Sequence, residues 1–566
     1  MTGPRVGRLL ALCLLGALPL APALAKSPAP VQAKNGMVVT AQHLASQVGL
    51  DVLKQGGNAV DAAVAVGYAL AVTLPSSGNI GGGGFMLVHT ADGQDIFINF
   101  REKASLNATK DMYLDAQGEV IPGASTRSWL GIGVPGTVMG LEYAREKYGT
   151  MSREALLAPA IALARDGFVL VPGDDILNVP LDAFRAEPNV AAIFLKDGER
   201  YQVGDTIVQA QLAHTLQLIS DQGPDAFYKG PIADAIVAAS EANGGILSKE
   251  DFENYTVSEY DPVTCDYRGY VVISSPPPSS GGTIICEILN ILEGYPIGYL
   301  GFNSAQTVHF MVEAMRHAYV DRNTYLGDPE FVDNPLERLL SKDYAAQIRD
   351  RIVRNRATPS SEVMPGTPPH EGTNTNHYSI VDADGNAVAV TYTINLGFGV
   401  KKIAGDTGFL LNNELDDFTV KPGVPNAYGL VQGEANAVAP GKTPLSSMSP
   451  TVITKDGEVF MVTGSPGGSR IITITLESIM NVIDHGMDVQ EAIDAPRIHH
   501  QWLPDTLYVE KYALSADTRA ILEQMGHSIS EGGSWGSAEA ILRDLATGTL
   551  YGANDSRRPQ GAALGY

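Results

Sequence analysis

The segment TNHYSIVDADGNAVAVTYTIN, residues 375–395, decides how this chain folds. Two runs rich in Val, Ile, Thr and Tyr flank Asp384-Gly385, and this pattern predicts a β-hairpin that turns at that dipeptide. The preceding residues 364–370, MPGTPPH, are rich in proline and have no periodicity, which is typical of an exposed, flexible segment. The chain is therefore expected to pass directly from a flexible segment into a strand at Thr375.

Strand and helix patterns recur on both sides of this hairpin. Helical periodicity covers residues 44–54, 59–70, 305–322 and 474–485, and strand patterns cover 85–88, 95–100, 409–412, 450–454 and 459–463. Because strands occur before and after the proline-rich segment and helices flank them, we expect helix layers that cover stacked sheets in one body.

The composition excludes several classes of protein. Hydrophobic residues make up 44% of the 566 residues and charged residues 18%, so the chain can bury a large core and is neither disordered nor fibrous. A formal net charge of −24 argues against nucleic acid as a partner, because a nucleic-acid-binding surface is normally basic.

The first 25 residues have the features of a signal peptide. Arg5 and Arg8 precede the apolar run LLALCLL, residues 9–15, and the segment ends in the small-residue pattern ALA at 23–25. This apolar run is shorter than the roughly 20 residues that a membrane-spanning helix needs. We therefore predict cleavage after Ala25, a mature chain without a membrane span, and a periplasmic or secreted location.

Two of the three cysteines, Cys265 and Cys286, remain after this cleavage. In an export compartment they could form one disulfide, although the sequence does not decide whether they meet. Cys286 lies in the apolar stretch TIICEIL, residues 283–289, which favours a buried, inert thiol over a nucleophile. No Cys or His pair has the spacing of zinc ligands, so we predict neither a metal nor a cofactor.

The chain resembles the γ-glutamyltransferase (γ-glutamyl transpeptidase) family of N-terminal nucleophile hydrolases. The resemblance rests on TNHYS at 375–379 and DGNAVAVTYT at 384–393, and it extends over essentially the whole mature chain. Five further motifs carry it, namely NFRE at 99–102, LGDP at 326–329, NNELDDF at 412–418, PLSSMSP at 444–450 and TGSPGGSR at 463–470. It implies an α+β fold, a four-layer αββα sandwich in which helices cover two stacked sheets.

The resemblance also implies that the chain cuts itself between Asn374 and Thr375, so that residues 26–374 and 375–566 become the large and small subunits of one body. A threonine hydroxyl is a weak nucleophile that needs a neighbouring base. The new α-amino group titrates near about 7.7–8.0, so Thr375 could supply both nucleophile and base. The dipeptide Thr-Asn also occurs at 373–374, which makes Thr373 an alternative nucleophile, although the distance to HYS at 377–379 favours Thr375.

The same resemblance assigns the remaining site residues. Thr393 is expected to hydrogen-bond the nucleophile, and the backbone N–H groups of Gly467 and Gly468 to stabilise the charge that develops on the attacked carbonyl. A γ-glutamyl group carries an α-carboxylate and an α-ammonium, so its pocket needs both cationic and acidic side chains. The implied ligands are Arg101, Ser446 and Ser447 for the carboxylate and Asn395, Glu414 and Asp417 for the ammonium, with Tyr428 in a lid loop at 421–429.

The implied activity is hydrolysis of γ-glutamyl compounds such as glutathione, with the glutamyl group passing to water or to an amino-acid or dipeptide acceptor. A cephalosporin acylase of the same fold is the nearest alternative; its glutaryl substrate has no ammonium, so the acid at position 417 argues against it. A non-catalytic exported binding protein is a third possibility, but it would need neither a threonine at a cut site nor the glycine pair at 467–468.

Overall fold

The computed structural model describes residues 27–363 and 375–566, and it places the predicted hairpin at the centre of a sheet. Asn376–Val381 pairs antiparallel with Ala387–Thr393, from Asn376 opposite Tyr392 to Val381 opposite Ala387. Gly385 in the connection has a φ of 96°, a conformation that glycine adopts without steric cost. The predicted hairpin is confirmed, and its first strand begins one residue after Thr375.

The strands of the described residues form two large antiparallel sheets of seven strands each and two small sheets. In chain order the strands are β1 Val31–Ala33, β2 Met37–Thr40, β3 Gly83–His89, β4 Asp95–Asn99, β5 Phe168–Val169, β6 Thr206–Ile207, β7 Ser258–Tyr260, β8 Val263–Tyr267, β9 Tyr270–Ser274, β10 Asn376–Val381, β11 Ala387–Thr393, β12 Thr451–Lys455, β13 Glu458–Thr463, β14 Ile498–His499, β15 Leu507–Glu510, β16 Ile529–Gly532, β17 Glu539–Arg543, β18 Leu550–Asn554 and β19 Ala562–Gly565. The first large sheet has the order β19-β2-β10-β11-β3-β4-β7, and the second has the order β1-β18-β17-β13-β12-β9-β8.

The helices lie mostly before the hairpin. In chain order they are α1 His43–Lys54, α2 Ala59–Thr73, α3 Ala124–Arg127, α4 Thr137–Tyr148, α5 Arg153–Asp166, α6 Leu181–Arg185, α7 Pro188–Phe194, α8 Ala210–Gln222, α9 Asp225–Tyr228, α10 Pro231–Ala242, α11 Lys249–Glu253, α12 Gly281–Leu292, α13 Ile297–Leu300, α14 Ala305–Tyr325, α15 Leu336–Leu339, α16 Lys342–Arg349, α17 Ser360–Val363, α18 Ile471–Ile483, α19 Val489–Asp494 and α20 Ala516–Gln524. Short 3-10 helices occur at Trp129–Gly131, Asp175–Asn178, Glu414–Asp417, Glu434–Asn436 and Gly468–Arg470.

The two large sheets stack face to face because their strands are apolar on both faces. On β3, Phe85 and Leu87 enter a core between the sheets, which also contains Val452 of the second sheet. Met86 and Val88 point to the opposite face, since side chains alternate along a strand, and there they join a core that includes α2 and α4.

The outer face of the second sheet is covered in the same way. Ile453 of β12 and Met461 of β13 belong to a third core, which they share with apolar side chains of α12, α14 and α18. The layers therefore run helix, sheet, sheet, helix, and the predicted αββα sandwich is confirmed.

The predicted strand at 409–412 is wrong. Leu410 makes one isolated bridge to Ile403 and no ladder follows. Phe409, Leu410 and Leu411 instead fill the core on the helix side of the first sheet. A short apolar run marks burial but does not reveal whether its backbone is paired.

Cys265 on β8 and Cys286 on α12 form a disulfide with a Cα–Cα distance of 5.7 Å. Cys286 is fully buried, as predicted, and the disulfide that the sequence left undecided is present. The two cysteines are 21 positions apart, and the chain between them forms the end of β8, a turn, β9 and the start of α12, which returns to pack on β8.

Several predictions fall outside the described residues, namely the signal peptide at 1–25, the alternative nucleophile Thr373 and the cut-site residue Asn374. Within the described ranges, no helix combines the length and the apolar character that crossing a bilayer requires.

Candidate active site

Thr375 is the first described residue after the proline-rich segment, and it is 4% exposed. Strand β10 begins at the next residue, and pairing between Asn376 and Tyr392 fixes the start of that strand on β11. Thr393, the last residue of β11, therefore lies across from Thr375 at the same end of the sheet. The hairpin brings the two predicted threonines together.

One cavity contains Thr375 and nearly all of the predicted site residues. It is lined by Arg101, Arg322, Thr375, Thr393, Asn395, Glu414, Asp417, Tyr428, Leu430, Ser446, Ser447, Met448, Gly468, Ser469 and Ile471. Of the predicted site residues that the structure describes, only Gly467 is missing from this lining, and it lines a neighbouring cavity with Ser534 and Trp535. Residues separated by hundreds of positions in the sequence thus converge on the threonine.

Arg101 is the central cation of the cavity and is 1% exposed. Its guanidinium donates to Glu414 Oε1 at 2.7 Å, to Asp417 Oδ2 at 2.5 Å and to the Pro444 carbonyl at 2.9 Å. Arg101, which is assigned to the substrate carboxylate, therefore contacts directly the two acids that are assigned to the substrate ammonium. Hydrogen bonds between arginine and a carboxylate are charge-assisted and therefore strong, and Arg101 makes one to each acid.

A third buried acid, Glu102, lies beside this group. Neither of its carboxyl oxygens has a hydrogen-bond donor among the described residues, and burial raises its pKa to about 7. Burial and the neighbouring Glu102 also raise the pKa of Glu414 well above its usual range. Because two buried carboxyls oppose each other's ionisation, the pair retains a proton near neutral pH. Glu102 stands in the motif NFRE, but the sequence analysis gave it no role.

Arg322, on helix α14, is a site residue that the sequence analysis missed. Its guanidinium donates to Ser447 Oγ at 3.0 Å and to Ser280 Oγ at 2.9 Å, so it fixes one of the two predicted serines. Burial lowers its pKa to about 10, which still leaves it charged at neutral pH. The signal was present in the sequence, because Arg322 continues the apolar stripe of Met315 and Tyr319 on the core face of the helix.

Asn395 and Tyr428 close one side of the cavity. Asn395 has a φ of 70°, and its side-chain amide donates to the Asn413 carbonyl at 2.8 Å. The hydroxyl of the buried Tyr428 donates to the Asn395 carbonyl at 2.8 Å, which holds the loop at 421–429 over the site. A Cβ at Gly468 would lie 2.3 Å from the Tyr428 ring, so only glycine fits beneath this tyrosine.

Gly467 and Gly468 lead into helix α18 through the 3-10 turn Gly468–Arg470. Both have positive φ values, 145° and 58°. Neither backbone N–H donates a hydrogen bond to any group in the described ranges. Two free N–H groups at the start of a helix form a suitable place for negative charge.

A family model described as Gamma-glutamyltranspeptidase matches residues 45–565. A glutathione hydrolase proenzyme of Pseudomonas sp. (strain A14) is 59% identical, with 96% of each chain covered, and one of Escherichia coli (strain K12) is 52% identical, with 95% of this chain and 93% of the relative covered.

Solved structures give the same picture of the fold. A cephalosporin acylase from Bacillus halodurans superimposes with a TM-score of 0.84 at 30% identity, covering 97% of this chain and 99% of that one. A γ-glutamyltranspeptidase chain from Helicobacter pylori superimposes with a TM-score of 0.57 at 43% identity, covering 62% of this chain and 99% of its own length.

Proposed function

The chain belongs to the gamma-glutamyltranspeptidase family, and from that premise we propose that it is a self-processing γ-glutamyltransferase and glutathione hydrolase whose nucleophile is Thr375. One observation carries the proposal: Thr375 shares a cavity with a buried arginine that is flanked by two acids. This cavity presents the opposite charges that an α-amino acid group requires.

Maturation would begin with the Thr375 hydroxyl. Its oxygen attacks the Asn374 carbonyl, the C–N bond breaks, and the acyl group moves from nitrogen to oxygen as an ester. Water then opens the ester, leaving a carboxylate on Asn374 and a free amino group on Thr375. The products are chains 26–374 and 375–566, and the sheet ladders from β10 to β2 and from β11 to β3 would hold both chains in one body.

The mature threonine would act on the substrate by the same chemistry. Its α-amino group accepts the hydroxyl proton as the oxygen attacks the γ-glutamyl carbonyl, and the proton then passes to the leaving amine. Thr393 would orient the attacking oxygen from the adjacent strand. Water or an acceptor amine then takes the glutamyl group from Thr375 and restores the enzyme.

The γ-glutamyl group would bind by replacing the ion pairs between Arg101 and its two acids with ion pairs to the substrate. The substrate carboxylate binds Arg101, Ser446 and Ser447, with Ser447 held by Arg322, and the ammonium binds Asn395, Glu414 and Asp417. Because Arg101 is paired with Glu414 and Asp417 in the free cavity, a substrate that brings both a carboxylate and an ammonium offers a new counter-charge to each partner it separates. A mono-anion cannot do so.

The glycine pair and the lid would complete the site. The N–H groups of Gly467 and Gly468 would bind the oxyanion of the tetrahedral intermediate, a contribution of about 2.7–4 kcal/mol for one donor in comparable sites. Tyr428, whose ring lies against Gly468, would exclude water from the bound glutamyl group.

The location proposed for this protein is the periplasm or the exterior of the cell. The disulfide between Cys265 and Cys286 supports an oxidising compartment, because such bonds persist there and are rare in the cytosol. The acceptors proposed are amino acids and dipeptides.

Incubation with glutathione tests the proposed activity. We expect release of glutamate and cysteinylglycine, and we expect an added dipeptide such as glycylglycine to divert part of the glutamate into a γ-glutamyl tripeptide. Mass spectrometry of the products measures both. Turnover of glutaryl amides with no turnover of glutathione would contradict the proposal and favour a glutaryl acylase.

A further inference from the structure

His309, Glu313 and His527 form a buried cluster, and none of them lines the cavity that contains Thr375. We propose that these three side chains bind one divalent transition-metal ion, with zinc as the best match. The possible ligand atoms all lie within 4.8 Å of one another. His309 and Glu313 are four residues apart on helix α14 and so share one face of it, whereas His527 comes from the segment before β16.

The distances suit a small tetrahedral ion. His309 Nδ1 and His527 Nε2 are 2.9 Å apart. Two nitrogens bound to zinc at about 2.0–2.1 Å with tetrahedral angles are separated by about 3.3 Å. A shift of a few tenths of an ångström would therefore admit the ion between them.

Glu313 provides an independent reason to expect a ligand. Its side chain is fully buried, and its Oε2 has no hydrogen-bond donor in the described ranges. Oε1 accepts from the Thr358 N–H at 3.1 Å and lies 3.5 Å from Arg316 Nε. A buried carboxylate oxygen without a partner is costly, and a metal ion would supply the missing interaction.

The histidines are oriented as metal ligands usually are. His309 Nε2 donates to the Val353 carbonyl at 2.9 Å, which directs the lone pair of Nδ1 into the cluster. The hydrogen between the two rings is therefore carried by His527 Nε2. When the ion binds, this proton would move to His527 Nδ1, so that His527 Nε2 becomes a ligand and no net proton is lost.

The surrounding charges permit a cation. Arg316 forms ion pairs with both Glu313 and Asp505 and is hydrogen-bonded to Ser360, so two carboxylates offset its positive charge. Two imidazoles and one carboxylate suit zinc, cobalt or nickel, whereas calcium and magnesium prefer sites built of oxygen ligands. Water would complete a four-coordinate shell.

Cobalt titration of the untagged, full-length protein tests the site. After treatment with a chelator and addition of Co²⁺, we expect one ion per chain after gel filtration and the visible absorption bands of tetrahedral cobalt. Glu313→Gln and His527→Gln should each weaken binding by at least about 100-fold, because loss of even an indirect ligand contact costs about 10–100-fold. His317→Gln, on the same helix but outside the cluster, should bind as wild type does.

Zinc X-ray absorption of the wild-type protein provides a second measurement that does not depend on any variant folding. We expect a shell of nitrogen and oxygen with imidazole scattering and no sulfur. Failure of the wild type to retain about one equivalent of either ion, or equal retention by wild type and Glu313→Gln, would overturn the proposal.

The position of the site has a structural consequence that rests on the proposed cleavage. His309 and Glu313 precede residue 374 and His527 follows it, so the ion would cross-link the two subunits. In that case a chelator should lower the urea concentration at which the subunits separate. The metal content itself does not depend on cleavage, so either proposal can fail without the other.

Discussion

Replacement of Thr375 by alanine is expected to leave the chain uncut and to reduce glutathione hydrolysis by at least about 10⁴-fold, because removal of the nucleophile in comparable acyl-transfer enzymes costs this much or more. The same oxygen is assigned to both reactions, so both should be lost together. A denaturing gel measures cleavage, and release of glutamate measures hydrolysis.

Two variants serve as controls for this loss. Thr373→Ala should be cut and should turn over substrate normally, since Thr375 and the strand that follows it are intact. Thr375→Ser keeps a hydroxyl and should still be cut, at a lower rate. A folded Thr375→Ala protein that is cut and active would exclude Thr375 as the nucleophile, whereas loss of cleavage in Thr373→Ala would move that role to Thr373.

Replacement of Asp417 by asparagine is expected to separate two classes of substrate. Asp417 is assigned to the ammonium of a γ-glutamyl group, which a glutaryl group does not have. Removal of one partner from a buried, hydrogen-bonded charge pair costs about 2 kcal/mol or more, so kcat/KM for a γ-glutamyl anilide should fall roughly thirtyfold or more. For a glutaryl anilide it should stay within about threefold or rise, because the carboxylate still binds Arg101, which keeps its bond to Glu414.

The neighbouring acid offers a matched control. Asp416 accepts from Ser125 Oγ at 2.6 Å and from the Ala427 N–H at 2.9 Å, so it supports the lid loop and makes no contact with Arg101. Asp416→Asn should therefore affect both substrates to a similar degree. Equal losses on both substrates in Asp417→Asn would mean that Asp417 supports the fold and that the ammonium binds elsewhere.

The features that depend on residues close together in the sequence were predicted best. The Asp384-Gly385 turn and the alternating runs around it predict the hairpin, and the motifs around Arg101, Asp417 and Ser446 predict residues that do line one cavity with Thr375. The prediction of a strand at 409–412 was wrong because an apolar run indicates burial and does not indicate backbone pairing.

Features that depend on contacts between distant segments were not predictable. The sequence places Arg101 and Asp417 in separate motifs 316 residues apart, and nothing in either motif shows that the two side chains bind each other. The cluster of His309 and His527 joins positions 218 residues apart, so the spacing of residues along the sequence does not reveal it. Arg322 could have been predicted, because the sequence alone places this cation on the apolar face of α14.

N-terminal sequencing of each chain of the purified wild-type protein identifies the bond that is cut and the residue that becomes the nucleophile. We expect two chains in equal amounts, one beginning at Lys26 and the other beginning Thr375-Asn376-His377, in a preparation that hydrolyses glutathione. A single uncut chain with full activity, or an active protein whose second chain begins at any residue other than Thr375, would contradict this expectation.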